Sequence, residues 1–441
     1  MKNRLLNIIE KRKLGFHSGI PSFCCANKIV IEAILEQSRR FDDLCLIEAT
    51  SNQVNQYGGY TGMNPIDFRN YTYQIADKIG FDKSNIILGG DHMGPLPWCN
   101  LPEKEAMQEA KKLVKLCVQA GYKKIHLDTS MRLGDDDKKT PLFYETIAER
   151  GVILYKECIE TYNEMLKKNP DEIRPVFVIG SEVPIPGGAK DNENKVNITN
   201  IKDFENTILA YKKMFIKYEL DNSWDDIIAV VVQPGVEFCE DNIIIYDRQK
   251  AQHLSETLKH YPDIVFEGHS TDYQPPIKLK EMVEDGVAII KVGPALSYAL
   301  REGLFALASI EKEIVPNKED LSNFKEILES EMLKDDKHWK NYYSGTDEHK
   351  LISRRYSFSD RCRYYFIKPS VENAIQTLFY NIDKYGIPLG LLHQYMPLQY
   401  AKVRDGKLKI IAKELVKDSI VNIIDDYNYA VKYNYLIKGV I

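Results

Sequence analysis

The sequence predicts a (β/α)8 TIM barrel followed by a helical C-terminal subdomain. Three observations lead there. Eight short apolar runs recur through the first 300 residues: GIPSFCC (19–25), LCLIEAT (44–50), NIILGGDH (85–92), KKIHLDT (123–129), PVFVIGSE (175–182), IIAVVVQP (227–234), DIVFEGHS (263–270) and VAIIKVGP (287–294). Each ends in a polar or glycine-rich knot, and each is followed by helix-like sequence. Near-continuous apolar runs mark strands buried on both faces, and intervening helices imply parallel crossovers. Eight such units close a barrel, a fold that carries its chemistry at the C-terminal strand ends.

The elements follow in order. Leu5, Leu6, Ile8 and Ile9 suit a short amphipathic helix closing the barrel bottom. NKIVIEAILEQSRR follows the first strand, and PIDFRNYTYQIADKIG follows the second, with Pro65 at a helix start that tolerates it. KEAMQEAKKLVKLCVQAG ends on Gly121, a C-cap signal. Helical patterns continue at 144–168, 201–218, 247–260 and 274–284, and 296–314 closes the series. A charged, proline-bearing stretch begins at Val315-Pro316, so the barrel is placed at 1–314 and the helical subdomain at 315–441, packed on it. Segments 319–334, 359–366, 370–384 and 411–433 supply its helices.

Bulk properties narrow the function. A net charge of −5 gives no reason to expect nucleic-acid binding. The eight cysteines form no CxxC pair and fall mostly within apolar segments, as reduced thiols of a cytoplasmic protein do. The N-terminus lacks the apolar core of a signal peptide, and no stretch approaches the roughly 20 apolar residues that span a bilayer. Neither a Walker A loop nor a dinucleotide fingerprint is present, which argues against a kinase or a dehydrogenase.

The strand ends hold Glu48, Asp91, His92, Asp128, Glu182, Gln233 and His269, acids and imidazoles converging on one mouth. GGDHMGP (89–95) is the strongest constellation. Adjacent residues cannot both face inward in regular pleat, so the strand must break for Asp91 and His92 to share a site. Its two glycines allow the break. GHSTDY (268–273) brings His269 across the barrel from His92, and two such imidazoles can clamp a divalent ion. Glu182 serves as a ligand or as an acid/base, and Gln233 is a weaker candidate ligand. Asp128 orders a ligand histidine or binds a substrate hydroxyl. His126, two residues earlier, reads as a histidine satisfied in the core.

Loops after the strand ends suggest an anionic, hydroxylated substrate. The glycine-rich loop SNQVNQYGGYTGMNP (51–65) reads as a substrate lid, with Glu48, Ser51, Asn52 and Gln53 as contacts. Phosphate sites in barrels commonly follow strands seven and eight, which here offer Ser270, Thr271, Gly293 and Ser297. In the tail, RRYSFSDRCRYYF reads as a solvated basic helix, or as one that Ser359 or Asp360 caps to direct Arg361 toward a substrate phosphate.

IEATSNQVNQYGGYTGMNPIDFR, IILGGDHMGP, KIHLDTSM, VIGSEVPIPGG, IAVVVQPGVEF, HSTDYQ, KVGPALSYALRE, RYSFSDRCRYYF and IPLGLLHQYMP together resemble the GatZ/KbaZ family of tagatose-1,6-bisphosphate aldolase subunits. The resemblance runs over essentially the whole chain. It implies a barrel of class II aldolase type, with zinc as its divalent ion (manganese, cobalt or nickel as alternatives). Asp91 would handle a proton, His92 and His269 would ligate, and Glu182 would stand at strand five. Where the wider superfamily places a histidine at strand six, this chain has Gln233. The family is described as a non-catalytic partner of a separate catalytic class II subunit. Two functions are therefore expected: such a subunit in tagatose, galactitol or amino-sugar metabolism, or an autonomous ketose-phosphate 4-epimerase interconverting fructose and tagatose forms. A ketose phosphate substrate and a homo-oligomer go with both.

Overall fold

The structure, a computed structural model, describes residues 2–41, 43–181 and 196–437. Eight parallel strands close a barrel: β1 (Ile20–Cys24), β2 (Cys45–Thr50), β3 (Ile86–Met93), β4 (Lys124–Leu127), β5 (Val176–Ile179), β6 (Ile227–Val232), β9 (Val265–Gly268) and β10 (Val287–Val292). A short hairpin, β7 (Glu237–Phe238) with β8 (Ile243–Ile244), sits between β6 and β9. Every barrel strand coincides with one of the eight apolar runs. The hairpin was not anticipated, because two-residue strands leave no period to read.

Register decides what shares a level inside the barrel. Glu48 on β2 pairs with Gly89 on β3, and Gly89 pairs with Lys124 on β4. The first residue of β4 therefore lies level with the fourth of β3, the stagger a closed barrel requires. Below this level, Ile20, Leu46, Ile87, Val176, Ile228, Val265 and Ile289 form an apolar plug with Leu5, Ile8 and Ile9 of the first helix (Leu6–Lys13) and the turn before it. Asn3 pins that turn, its Nδ2 donating to the carbonyls of Lys123 (2.8 Å) and Arg174 (3.0 Å).

Beyond Ile314 the chain is helical. The helix Ala412–Ile437 packs against the helices Lys28–Arg40, Pro276–Glu284 and Pro294–Ile314 on the barrel's flank. The segment 357–366 crosses toward the mouth. Tyr273 donates to the Phe358 carbonyl at 2.6 Å, and the Phe358 amide donates to that of Glu240 at 2.9 Å. The Asp360 carboxylate accepts from Ser297 Oγ (2.5 Å) and Arg301 Nε (3.0 Å). Asp360 thus fastens the tail to the barrel and makes no side-chain cap to the short helix Arg361–Tyr365. All eight cysteines are free, and no described helix is long and apolar enough to cross a membrane.

Candidate metal centre and substrate cavity

Above the apolar plug lies a layer of buried charge. Lys124 Nζ stands 2.7 Å from Glu48 Oε1 and 2.6 Å from Glu267 Oε2. Lys291 Nζ lies 2.6 Å from both Glu48 Oε2 and Asp91 Oδ2. Burial opposes the charge on Lys291, yet the Asp91, Glu48 and Glu267 carboxylates outweigh it and hold the ammonium well above its ordinary range. Gly89 is required by this layer: a Cβ there would fall 2.4 Å from Glu48 Oε1.

One level higher, β3 breaks. Its pairing with β4 shifts between Gly90 and Met93, and His92 holds a left-handed φ of 48°. This bulge lets adjacent Asp91 and His92 face one cavity. Gly94 completes the turn, where a Cβ would meet the Asp128 carbonyl oxygen at 1.7 Å.

Three imidazoles meet there. The ring centroids of His92, His126 and His269 stand 4.8, 4.8 and 5.2 Å apart. Each ring is oriented from behind. Asp128 Oδ2 lies 2.8 Å from His92 Nδ1, directing Nε2 inward. Burial favours a protonated Asp128, but the His92 contact prevails and holds its pKa at about 2. Glu267 Oε1 accepts from His269 Nε2 at 2.9 Å, while His269 Nδ1 is buried without a hydrogen-bond partner. Burial pushes the His269 pKa down to about 3, so that nitrogen keeps its lone pair. His126 Nε2 donates to the Gly180 carbonyl at 2.8 Å, and its Nδ1 lies 3.0 Å from Asp91 Oδ1 and accepts from the His92 amide at 3.2 Å.

One donor atom each from Asp91, His92, His126 and His269 gather within 4.8 Å of one another. The donor set fits a divalent cation in two further ways. Carboxylate and carbonyl partners fix the outer ring nitrogens, the usual arrangement behind metal-bound histidine. The four buried carboxylates (Glu48, Asp91, Asp128 and Glu267) also exceed the two buried ammonium groups (Lys124 and Lys291) by two charges. A divalent ion would balance that excess.

The group opens into a cavity of about 360 Å³. Among its walls are Cys24, Asn52, Gln53, Tyr60, Ser270, Gly293 and Ser297, Phe238 from the hairpin, and Arg363 and Tyr364 from the tail. The β2 loop is a packed wall: Asn55 Oδ1 accepts from the amides of Tyr57 (2.9 Å) and Gly59 (3.1 Å), and Tyr60 meets Tyr364 edge-on at 4.6 Å.

Several expected site residues lie elsewhere. Gln233 folds into its own loop, its Oε1 accepting from the amides of Gly235 (2.8 Å) and Val236 (2.9 Å), apart from the histidines. Glu48 belongs to the ionic layer beneath the cavity. Ser51 is buried outside the cavity wall, and Thr271 Oγ1 donates to the Lys291 carbonyl at 2.5 Å. Gly293 reaches the wall, but its amide (3.0 Å) and that of Ala295 (2.8 Å) already donate to the Asp272 carboxylate. Ser297 is likewise spent on Asp360. Arg361 turns away and lays its guanidinium 3.2 Å over the Tyr342 ring. Asp128 touches His92 rather than the cavity, and Glu182 lies outside the described residues. His126 is buried with both ring nitrogens hydrogen-bonded, as expected of a histidine satisfied in the core, whereas Arg363, and not Arg361, reaches the cavity wall. The face shared by His126 and Asp128 was visible, but its depth depends on the β3–β4 stagger.

The chain matches the family described as D-tagatose-1,6-bisphosphate aldolase subunit GatZ/KbaZ-like across residues 5–432. It is 43% identical over 422 residues to D-tagatose-1,6-bisphosphate aldolase subunit GatZ of Escherichia coli O1:K1 / APEC, covering 96% of this chain and 98% of that protein. The GatZ of Escherichia coli O6:K15:H31 (strain 536 / UPEC) gives the same 43% over 422 residues. A crystal structure described as a probable tagatose 6 phosphate kinase from Sinorhizobium meliloti 1021 superposes with a TM-score of 0.84 at 38% identity, covering 93% of this chain and 100% of that one.

Proposed function

The chain belongs to the GatZ/KbaZ-like family of D-tagatose-1,6-bisphosphate aldolase subunits, and on that premise we propose that it serves as such a subunit with a working metal centre of its own. The partners would be a separate catalytic class II subunit and further copies of this chain. The observation that carries the reading is the gathering of His92, His126, His269 and Asp91 donor atoms within 4.8 Å. Buried charge of this density is costly to maintain for packing alone.

A divalent ion held by His92 and His269, zinc by its nitrogen donors or else manganese, cobalt or nickel, would supply Lewis-acid polarisation of a ketose carbonyl. The chain's own groups do the rest. Burial opposes the charge on Asp91, yet His92 and then Lys291 hold its pKa well below the usual carboxylate range, so its carboxylate can accept the proton of a C4 hydroxyl brought within hydrogen-bond reach. As that proton leaves, the C3–C4 bond breaks, an aldehyde forms at C4, and the bonding pair moves toward the C2 carbonyl oxygen. Tyr60 and Tyr364 wall the cavity against bulk water.

That enclosure favours a second outcome of the same chemistry. If both fragments stay in the cavity, turning the aldehyde and re-forming the bond inverts C4, which is ketose-phosphate 4-epimerisation. The test is metal analysis of the purified chain, paired with NMR assays on fructose 6-phosphate and tagatose 1,6-bisphosphate, with and without a catalytic class II subunit. One bound metal and turnover by the chain alone are expected, with His92→Ala and His269→Ala losing both while staying folded. A metal-loaded chain that turns over neither sugar would refute the catalytic reading. The subunit role would then stand alone if both variants still supported the catalytic partner.

A further inference from the structure

We propose that the tail supplies the cavity's anion subsite, with Arg363 and Tyr364 taking the phosphate of a phosphorylated ketose. The inference rests on reading the cavity as a sugar site. The donors that follow β10 are spent: Asp272 fills the start of the helix Pro294–Ile314, and Ser297 is bonded to Asp360. Lys291 is held between Glu48 and Asp91.

Arg363 differs from these groups. Its Nη1 donates to the carbonyls of Ser359 and Asp360, and its Nη2 donates to the Tyr364 hydroxyl at 3.0 Å. Among the described residues it makes no ion pair: carbonyl oxygens hold the guanidinium, and the Asp360 and Asp272 carboxylates act on it only from beyond contact. A guanidinium has five N–H donors. Two remain for a ligand, and paired N–H groups suit phosphate oxygens.

Tyr364 adds a third donor. Its oxygen accepts from Arg363 Nη2 and from Arg361 Nη1 at 3.4 Å, which leaves its own proton to give. Stacking fixes the ring, parallel to His338 at 4.4 Å and edge-on to Tyr60 at 4.6 Å. Besides Asp91, which Lys291 pairs, two carboxylates border the cavity. The helix amides offset the charge of Asp272, whose pKa burial raises to about 6, and Glu372 sits exposed at the rim.

Calorimetric titration of metal-loaded protein with fructose 6-phosphate and with fructose tests the subsite without requiring turnover. The wild type should prefer the phosphate ester, and Arg363→Gln should shrink that preference roughly tenfold to hundredfold while metal content stays unchanged. Arg363→Lys should restore part of it, which separates charge recognition from a folding defect. An undiminished preference in Arg363→Gln, or none in the wild type, would overturn the subsite. A preference that depends on Arg363 in a chain without turnover would leave the subsite standing and refute only the proposed chemistry.

Discussion

The two ends of one barrel are built by opposite rules. At the base, the first residues of the strands and the N-terminal helix form a plug of aliphatic side chains, stabilised by excluding water. At the mouth, the same strands carry Glu48, Asp91, Lys124, His126, Glu267 and Lys291, all buried and nearly all bonded to one another. A hydrophobic filling would serve stability at least as well there. The difference teaches that the base carries the fold and the mouth carries the function.

Substitutions can break that division or sharpen it. Lys124→Met should cost ~3–5 kcal/mol, because it strips the nearer of the two cations that Glu48 and Glu267 share and leaves Lys291 alone against them. Chemical denaturation measures it, and a loss no larger than that of a base substitution would erase the contrast. Asp128→Asn should keep the fold yet weaken metal binding about 10–100-fold, since it loosens only the orientation of His92. Competition against a zinc chelator reads that change.

Glu237, on the hairpin over the mouth, gives a test in pH. Burial, with Asp272 adding to it, pushes its pKa up to about 7, against the opposing pull of the Phe238 amide and Ser270. The folded state therefore holds that proton more tightly than the unfolded chain, whose glutamate titrates near ~4.3. Stability from this group is complete below that value and is lost as pH rises through 7. Urea melts of metal-free protein should lose about 3–4 kcal/mol between those two pKa values, and Glu237→Gln should flatten the trend. Ile87→Val at the base should cost about 1 kcal/mol at every pH and leave metal binding untouched.

The sequence made the strands legible because buried parallel strands are written as uninterrupted apolar runs. It also announced the break at Asp91 and His92, since two glycines precede an acid and an imidazole that pleating would otherwise separate. What it could not express was register. His126 looked deep because its strand was read alone, whereas the pairing of Gly89 with Lys124 lifts it level with Asp91. Gln233 was misplaced for a local reason: the Pro234-Gly235 turn behind it offers amides that its side chain takes. Arg361 and Arg363 share a short helix of about three residues per turn, so only one can face the cavity. Which one does so depends on how Asp360 fastens the tail, a contact between residues some sixty positions apart.

The left-handed bend at His92 sets heritable change against itself. Asparagine rests more comfortably in that conformation than histidine does, so replacement would ease the backbone at that point. It would also delete the imidazole. Drift toward a relaxed main chain is therefore drift away from ligation, and a lineage can keep one only by forgoing the other.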